Sequence, residues 1–177
     1  MTAYNDLMDH QRQTEALGQI AGRLGWDQET VMPRGAADQR AEEMAAIEGV
    51  LHSRRTDPRV GDWLEGAEAP DAAGAAQLRL IRRSHDRATK VPGRLAQEIA
   101  RLTSAAQGIW AAARAAEDVA AFLPTLAGVI ALKREEAACL AGPSGDAYDA
   151  LLDDYEPGET AATIAAMFDA MRPRLMR

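Results

Sequence analysis

The chain has 177 residues, 47% of them apolar and 27% charged, with a formal net charge of −7. That length and balance suit one soluble region with a core of its own, and the acidic charge argues against nonspecific binding to nucleic acid. The longest apolar run, Val119 to Leu132, is interrupted by Pro124, Thr125 and Gly128, and it falls short of the roughly 20 residues that cross a bilayer, so no membrane partner is expected.

Aromatic residues make up only 5%, so alanine and leucine must do most of the packing, a composition that favours closely spaced helices. Leu7, Ala16 or Leu17, Ile20 and Leu24 recur at helical spacing and predict a first helix over Tyr4 to Leu24, closed by Gly25 as a C-terminal cap. The stretch Trp26-Asp27-Gln28-Glu29-Thr30-Val31-Met32-Pro33-Arg34-Gly35 then reads as a connector. Pro33 fixes its own φ and pushes Met32 out of the α region, while Gly35 is free to take positive φ. Trp26, directly after the cap, reads as a buried anchor over the seam between the first two helices.

A second helix is expected from Ala36 to Arg54, with Met44, Ile47 and Leu51 on one face, and Asp57-Pro58 starts a short one through Trp63 and Leu64. The loop at 66–70 is a candidate subdivision of an otherwise single helical region, 1–177. Asp71 caps a third long helix to about Thr89. Val91-Pro92 opens a fourth, whose Leu95, Ile99, Leu102, Ala106, Ile109 and Ala113 follow the seam spacing of packed antiparallel helices. Asp118 begins a fifth with Phe122, Leu126, Ile130, Ala137 and Leu140 inward, stopped by Gly142-Pro143-Ser144-Gly145. A short piece from Tyr148 to Asp154 leads to the turn Tyr155-Glu156-Pro157-Gly158. Thr160 then caps a last helix carrying Ile164, Phe168, Met171 and Leu175. No strand pattern occurs, so the fold class is all-α: an antiparallel bundle of about six helices without a sheet. The last helical pattern reaches Arg177 without a cap, as expected of a chain that continues.

The sequence carries no recognisable catalytic motif. The three histidines, His10, His52 and His85, form no H-E-x-x-H, and Glu48 and His52 lack the spacing of a carboxylate-bridged di-iron bundle. There is no phosphate loop or nucleophile elbow. The single cysteine, Cys139, cannot pair within the chain and reads as a small buried hydrophobe, in keeping with a reducing cytoplasm; no secretory leader is seen at Met1 to Gln13. Arg79, Arg82, Arg83, Arg87 and Lys90 read as a solvated face and Trp110 as core. No catalytic, cofactor-binding or metal residue is therefore assigned.

Two strings together resemble the Taq-type thermostable metallocarboxypeptidases. The first is Leu24-Gly25-Trp26-Asp27-Gln28-Glu29-Thr30-Val31-Met32-Pro33-Arg34-Gly35 followed by Arg40-Ala41-Glu42-Glu43; the second is Tyr148-Asp149-Ala150-Leu151-Leu152-Asp153-Asp154-Tyr155-Glu156-Pro157-Gly158, with Phe168 beyond. Val91-Pro92, Trp110, Phe122-Leu123-Pro124 and Lys133-Arg134-Glu135-Glu136 lie between them in the family's order. The resemblance implies an all-helical peptidase that removes C-terminal residues with a divalent metal, usually zinc, and that forms homodimers. Its H-E-x-x-H motif lies further along than this sequence reaches. The resemblance thus implies the N-terminal helical region, partnered by a catalytic part absent here and inactive alone. Trp26, Glu29, Met32, Arg34, Tyr155 and Glu156 are the residues it marks as groove cover or interface. The alternative is a standalone bundle with a binding or structural role.

Overall fold

The computed structural model describes residues 2–143 and 145–176. Ser144 of the expected Gly-Pro-Ser-Gly stop and Arg177 of the last helical pattern lie outside the described residues. Two compact units divide the chain, residues 1–132 and 133–177, with the boundary inside one helix.

The first unit contains α1 (Ala3–Thr30), a 3-10 turn (Arg34–Ala36), α2 (Ala37–Arg55), α3 (Pro58–Gly66), α4 (Ala72–Ala88), α5 (Gly93–Ala115) and the start of α6 (Val119–Ala141). The α2–α5 pair is its most extensive packing, with α1 against α2 and α3, and α4 against α3 and α2. The α2–α5 approach is close at Gly49, where a Cβ would lie 3.0 Å from Gln97 Cδ. The core centres on Leu7, Val60 and Leu64, with Met8, Trp63, Leu78 and Ile81 around it. The second unit holds the rest of α6, α7 (Ala147–Leu152) and α8 (Ala161–Leu175), with α7 packed on α8. The architecture is all-helical: six long helices and two short ones among the described residues.

The helix starts follow the expected capping chemistry. The Asp57 carboxylate accepts from Arg59 N at 2.9 Å with Pro58 behind it, Asp71 accepts from Gly74 N at 2.7 Å, and Asp118 from Ala121 N at 3.1 Å. Thr160 and Thr163 form a reciprocal capping box at the start of α8. Gly142, past the end of α6, has φ of +66°, which suits a residue with no Cβ.

Three expectations are corrected. Gly25 does not end the first helix: α1 continues through Trp26, Asp27, Gln28 and Glu29 to Thr30, and Gly25 keeps an ordinary negative φ. Tertiary partners of Asp27 and Gln28 hold this extra stretch helical, and only Pro33 enforces the exit. Gly35 also stays at negative φ within the 3-10 turn. Second, Trp110 is 47% exposed and lies under the Arg114 guanidinium at 5.7 Å from its ring centroid, a cation–π pair on the surface rather than a core contact. Third, Ile109, Leu126 and Ile130 are exposed although their spacing predicts inward faces. Periodicity identifies an apolar face but not what covers it.

Candidate functional site

The end of α1 is organised by one buried guanidinium. Arg40, in the second turn of α2, is 9% exposed. It donates from Nη2 to Asp27 Oδ2 at 2.5 Å, from Nε to Glu43 Oε2 at 2.9 Å, and from Nη1 to the Leu24 carbonyl. Hydrogen bonding to Asp27 is the largest influence raising its already high pKa, so the group stays charged. One planar fork thus ties α1 to α2 in a way a lysine point charge could not. On the opposite side Gln28 clamps α5, donating from Nε2 to the Ser104 carbonyl at 2.8 Å and accepting from Ser104 Oγ at 2.9 Å. Arg40 and Ser104 were not singled out in the sequence beyond the family string. Their signal is burial, which a single sequence does not display.

The residues marked as groove cover take up the outer side of this clamp. Trp26 is 63% exposed, against the expectation of a buried anchor. The Asp27 and Gln28 contacts face the bundle, and on a helix the adjacent position then points away. Glu29 and Arg34 are exposed and Met32 is half-buried. Beside them lies a cleft of ≈ 300 Å³ bounded by Gly25, Gln28 and Glu29 of α1, Met44 of α2, and Thr103 and Gln107 of α5.

In the second unit, Tyr155 is 83% exposed and Glu156 is also exposed. Glu156-Pro157-Gly158-Glu159 forms the expected turn: Glu159 N–H donates to the Glu156 carbonyl at 3.1 Å, and Gly158 takes φ of +87° at the third position. The acids before it gain a role that the turn alone does not supply. Asp153 Oδ1 accepts from Gly158 N at 3.0 Å, and Asp149 Oδ1 accepts from Ala161 N at 2.7 Å. They fasten the turn and the exposed amides at the start of α8 to α7.

Each histidine ring donates to a main-chain carbonyl. His10 Nε2 lies 3.0 Å from Arg54 O, His85 Nδ1 3.0 Å from Arg55 O, and His52 Nε2 2.7 Å from Val91 O. His10 and His85 thereby satisfy the last two carbonyls of α2, which have no partner within the helix. Arg54 reaches back to the His10 carbonyl at 2.9 Å and to Thr14 Oγ1 at 2.9 Å, closing the α1–α2 junction. Glu48 pairs with Arg55 at 3.1 Å, and burial is the main cause holding its carboxyl above the usual range.

Comparison with known proteins identifies the family. The profile of the carboxypeptidase Taq (M32) metallopeptidases matches residues 6–177, and the chain belongs to this family. Thermostable carboxypeptidase 1 of Thermus thermophilus is 38% identical over 187 residues, covering 98% of this chain and 37% of the relative. Among solved structures, metallocarboxypeptidase 1 of Trypanosoma cruzi is 32% identical with a TM-score of 0.74, covering 97% of this chain and 35% of that one. A carboxypeptidase of Pyrococcus furiosus is 28% identical with a TM-score of 0.75, covering 98% and 35%. The chain spans about a third of the length of these relatives. A metallopeptidase family implies a divalent metal in its full-length members. One nitrogen of each histidine ring is spent on a main-chain carbonyl, two of these being the neighbouring carbonyls of Arg54 and Arg55. Among the described residues no three potential ligands converge.

Proposed function

We propose that this chain is the N-terminal helical part of a metal-dependent carboxypeptidase that removes C-terminal residues from peptides. The match over residues 6–177 to a family whose members are about three times as long carries this reading. The divalent metal, zinc by family habit, belongs to a catalytic part outside these residues, and the chain alone hydrolyses nothing. Trp26, Glu29, Met32 and Arg34, with Tyr155 and Glu156, cover the substrate groove or meet the catalytic part; the exposure of all but half-buried Met32 supports this role. The whole protein works in the cytoplasm as a homodimer, and Phe168, Met171 and Leu175 give α8 an apolar surface suited to burial against another body.

The coding sequence beyond codon 177 tests the reading. An H-E-x-x-H helix in frame downstream is expected. A stop codon there, together with a monomer by light scattering at micromolar concentration, would favour the standalone binding bundle instead.

A further inference from the structure

Glu29 stands where helix electrostatics disfavour it. It lies in the last turn of α1, a turn with no basic residue, and the carbonyl end of a helix carries partial negative charge. Among the described residues its carboxylate makes no hydrogen bond or ion pair. Behind it, Asp27 and Glu43 share the single cation Arg40, which leaves that cluster negative as well. The same cleft holds Gln107, half-buried, whose amide likewise has no partner among the described residues. Gly25 lines the cleft from inside a helix, where glycine is less favourable than alanine. A Cβ there would meet nothing within 4 Å, as at Gly18 and Gly22 of the same helix, so the space beside Gly25 is open.

We propose that the cleft between the end of α1 and α5 binds a basic side chain of a peptide. The ammonium or guanidinium pairs with the Glu29 carboxylate against the negative end of α1, and Gln107 accepts a second hydrogen bond. Gly25 leaves room for the aliphatic stem, with Met44 as an apolar wall. Naming that peptide as the substrate rests on the function proposed above. The binding itself does not, because it requires neither the metal nor the catalytic part.

The test is a ¹H–¹⁵N NMR titration of the 177-residue chain with N-acetyl-arginine amide and with its uncharged near-isostere, N-acetyl-citrulline amide. The arginine probe should shift the Gly25 and Glu29 backbone signals and the Gln107 side-chain amide, saturably, and the citrulline probe should not. Glu29→Gln should weaken binding about tenfold, as expected for loss of a charge-assisted hydrogen bond. Gly25→Leu should block the cleft while the rest of the spectrum, and hence the fold, is retained. Equal shifts with both probes, shifts centred elsewhere, or the same shifts with sodium or magnesium chloride alone would overturn the assignment. A downstream sequence lacking the metal motif would remove the substrate role but leave these shifts intact, so the two failures are separable.

Discussion

Replacing Arg40 by methionine should loosen the end of α1 by about 2 kcal/mol. Methionine preserves much of the buried stem, so the loss is chiefly polar. A fully buried ion pair broken on one side costs about 3–5 kcal/mol. Here Asp27 and Glu43 are 37% and 39% exposed, so water takes over part of their solvation. About 0.5–1 kcal/mol for each of these pairs is the appropriate scale, and the Leu24 carbonyl contact adds about 0.5–1 kcal/mol. The two carboxylates left without their shared cation should also repel. Because the chain divides into two units, a single global transition is not assumed. The assay is hydrogen exchange at the amides of residues 28–32 alongside urea unfolding. Exchange there should accelerate roughly 30-fold, the factor that about 2 kcal/mol represents. Asp27→Asn in the Arg40→Met background should cause less loss than Asp27→Asn alone. A loss under about 0.5 kcal/mol, or strictly additive effects of the two substitutions, would show that the fork does not hold α1 to α2.

Trp26→Ala should change the unfolding midpoint little, by under about 1 kcal/mol, well below the 3–5 kcal/mol of a buried indole; a larger loss would mean the ring is covered. Asp57→Asn keeps a good helix cap but removes the carboxylate that Arg59 holds at a pKa of about 2, below the ordinary 3.8. A depressed folded pKa stabilises above the unfolded value and is lost as pH falls through the folded one. The stability gap between wild type and variant, read by urea unfolding, should therefore be constant above about pH 5 and close between about pH 4 and 2; a gap independent of pH would exclude the ion pair. Gly22→Ala should stabilise by about 0.5–1 kcal/mol, since nothing lies within 4 Å of its added Cβ. Gly74→Ala should destabilise by about 1–3 kcal/mol, since its Cβ would meet Pro70 Cδ at 2.6 Å; thermal melts that rank the two the other way would refute this packing.

The helices, their N-caps and the Pro-Gly turn at 156–159 were legible in the sequence because each rests on local chemistry: an acceptor three residues ahead of an amide, or a glycine where φ must be positive. The end of α1 was not legible for the opposite reason. Trp26 to Thr30 contain no strong helix signal, and Gly25 looks like a stop. The stretch is helical because Arg40 lies 13 residues away and Ser104 76 residues away in sequence from the side chains they hold, Asp27 and Gln28. Such partners are invisible to periodicity. The expectation of a buried Trp26 rests on its size and on its place directly after Gly25, taken as the helix cap. Residue type ranks average burial, whereas helix phase decides the individual case: with Asp27 and Gln28 committed inward, Trp26 had to face out.

The same reasoning bears on what the exposed side chains are for. A chain selected only to fold would have little use for Trp26, Glu29, Gly25 and Gln107 as they stand: an indole in water, an acid at the wrong helix end, a helix-interior glycine without a neighbour, and an amide without a partner. Each departs from local optimality by a modest amount, and they occur together around one cleft. At the α1–α2 junction, by contrast, the polar groups are matched, down to the two imidazoles on the final carbonyls of α2. The grouping of the mismatched residues beside one cleft is what a ligand or partner that completes it would require. The Arg40–Asp27 and Gln28–Ser104 contacts then have a second purpose beyond stability, since they fix the last turn of α1 rigidly enough for that partner to find its groups in register.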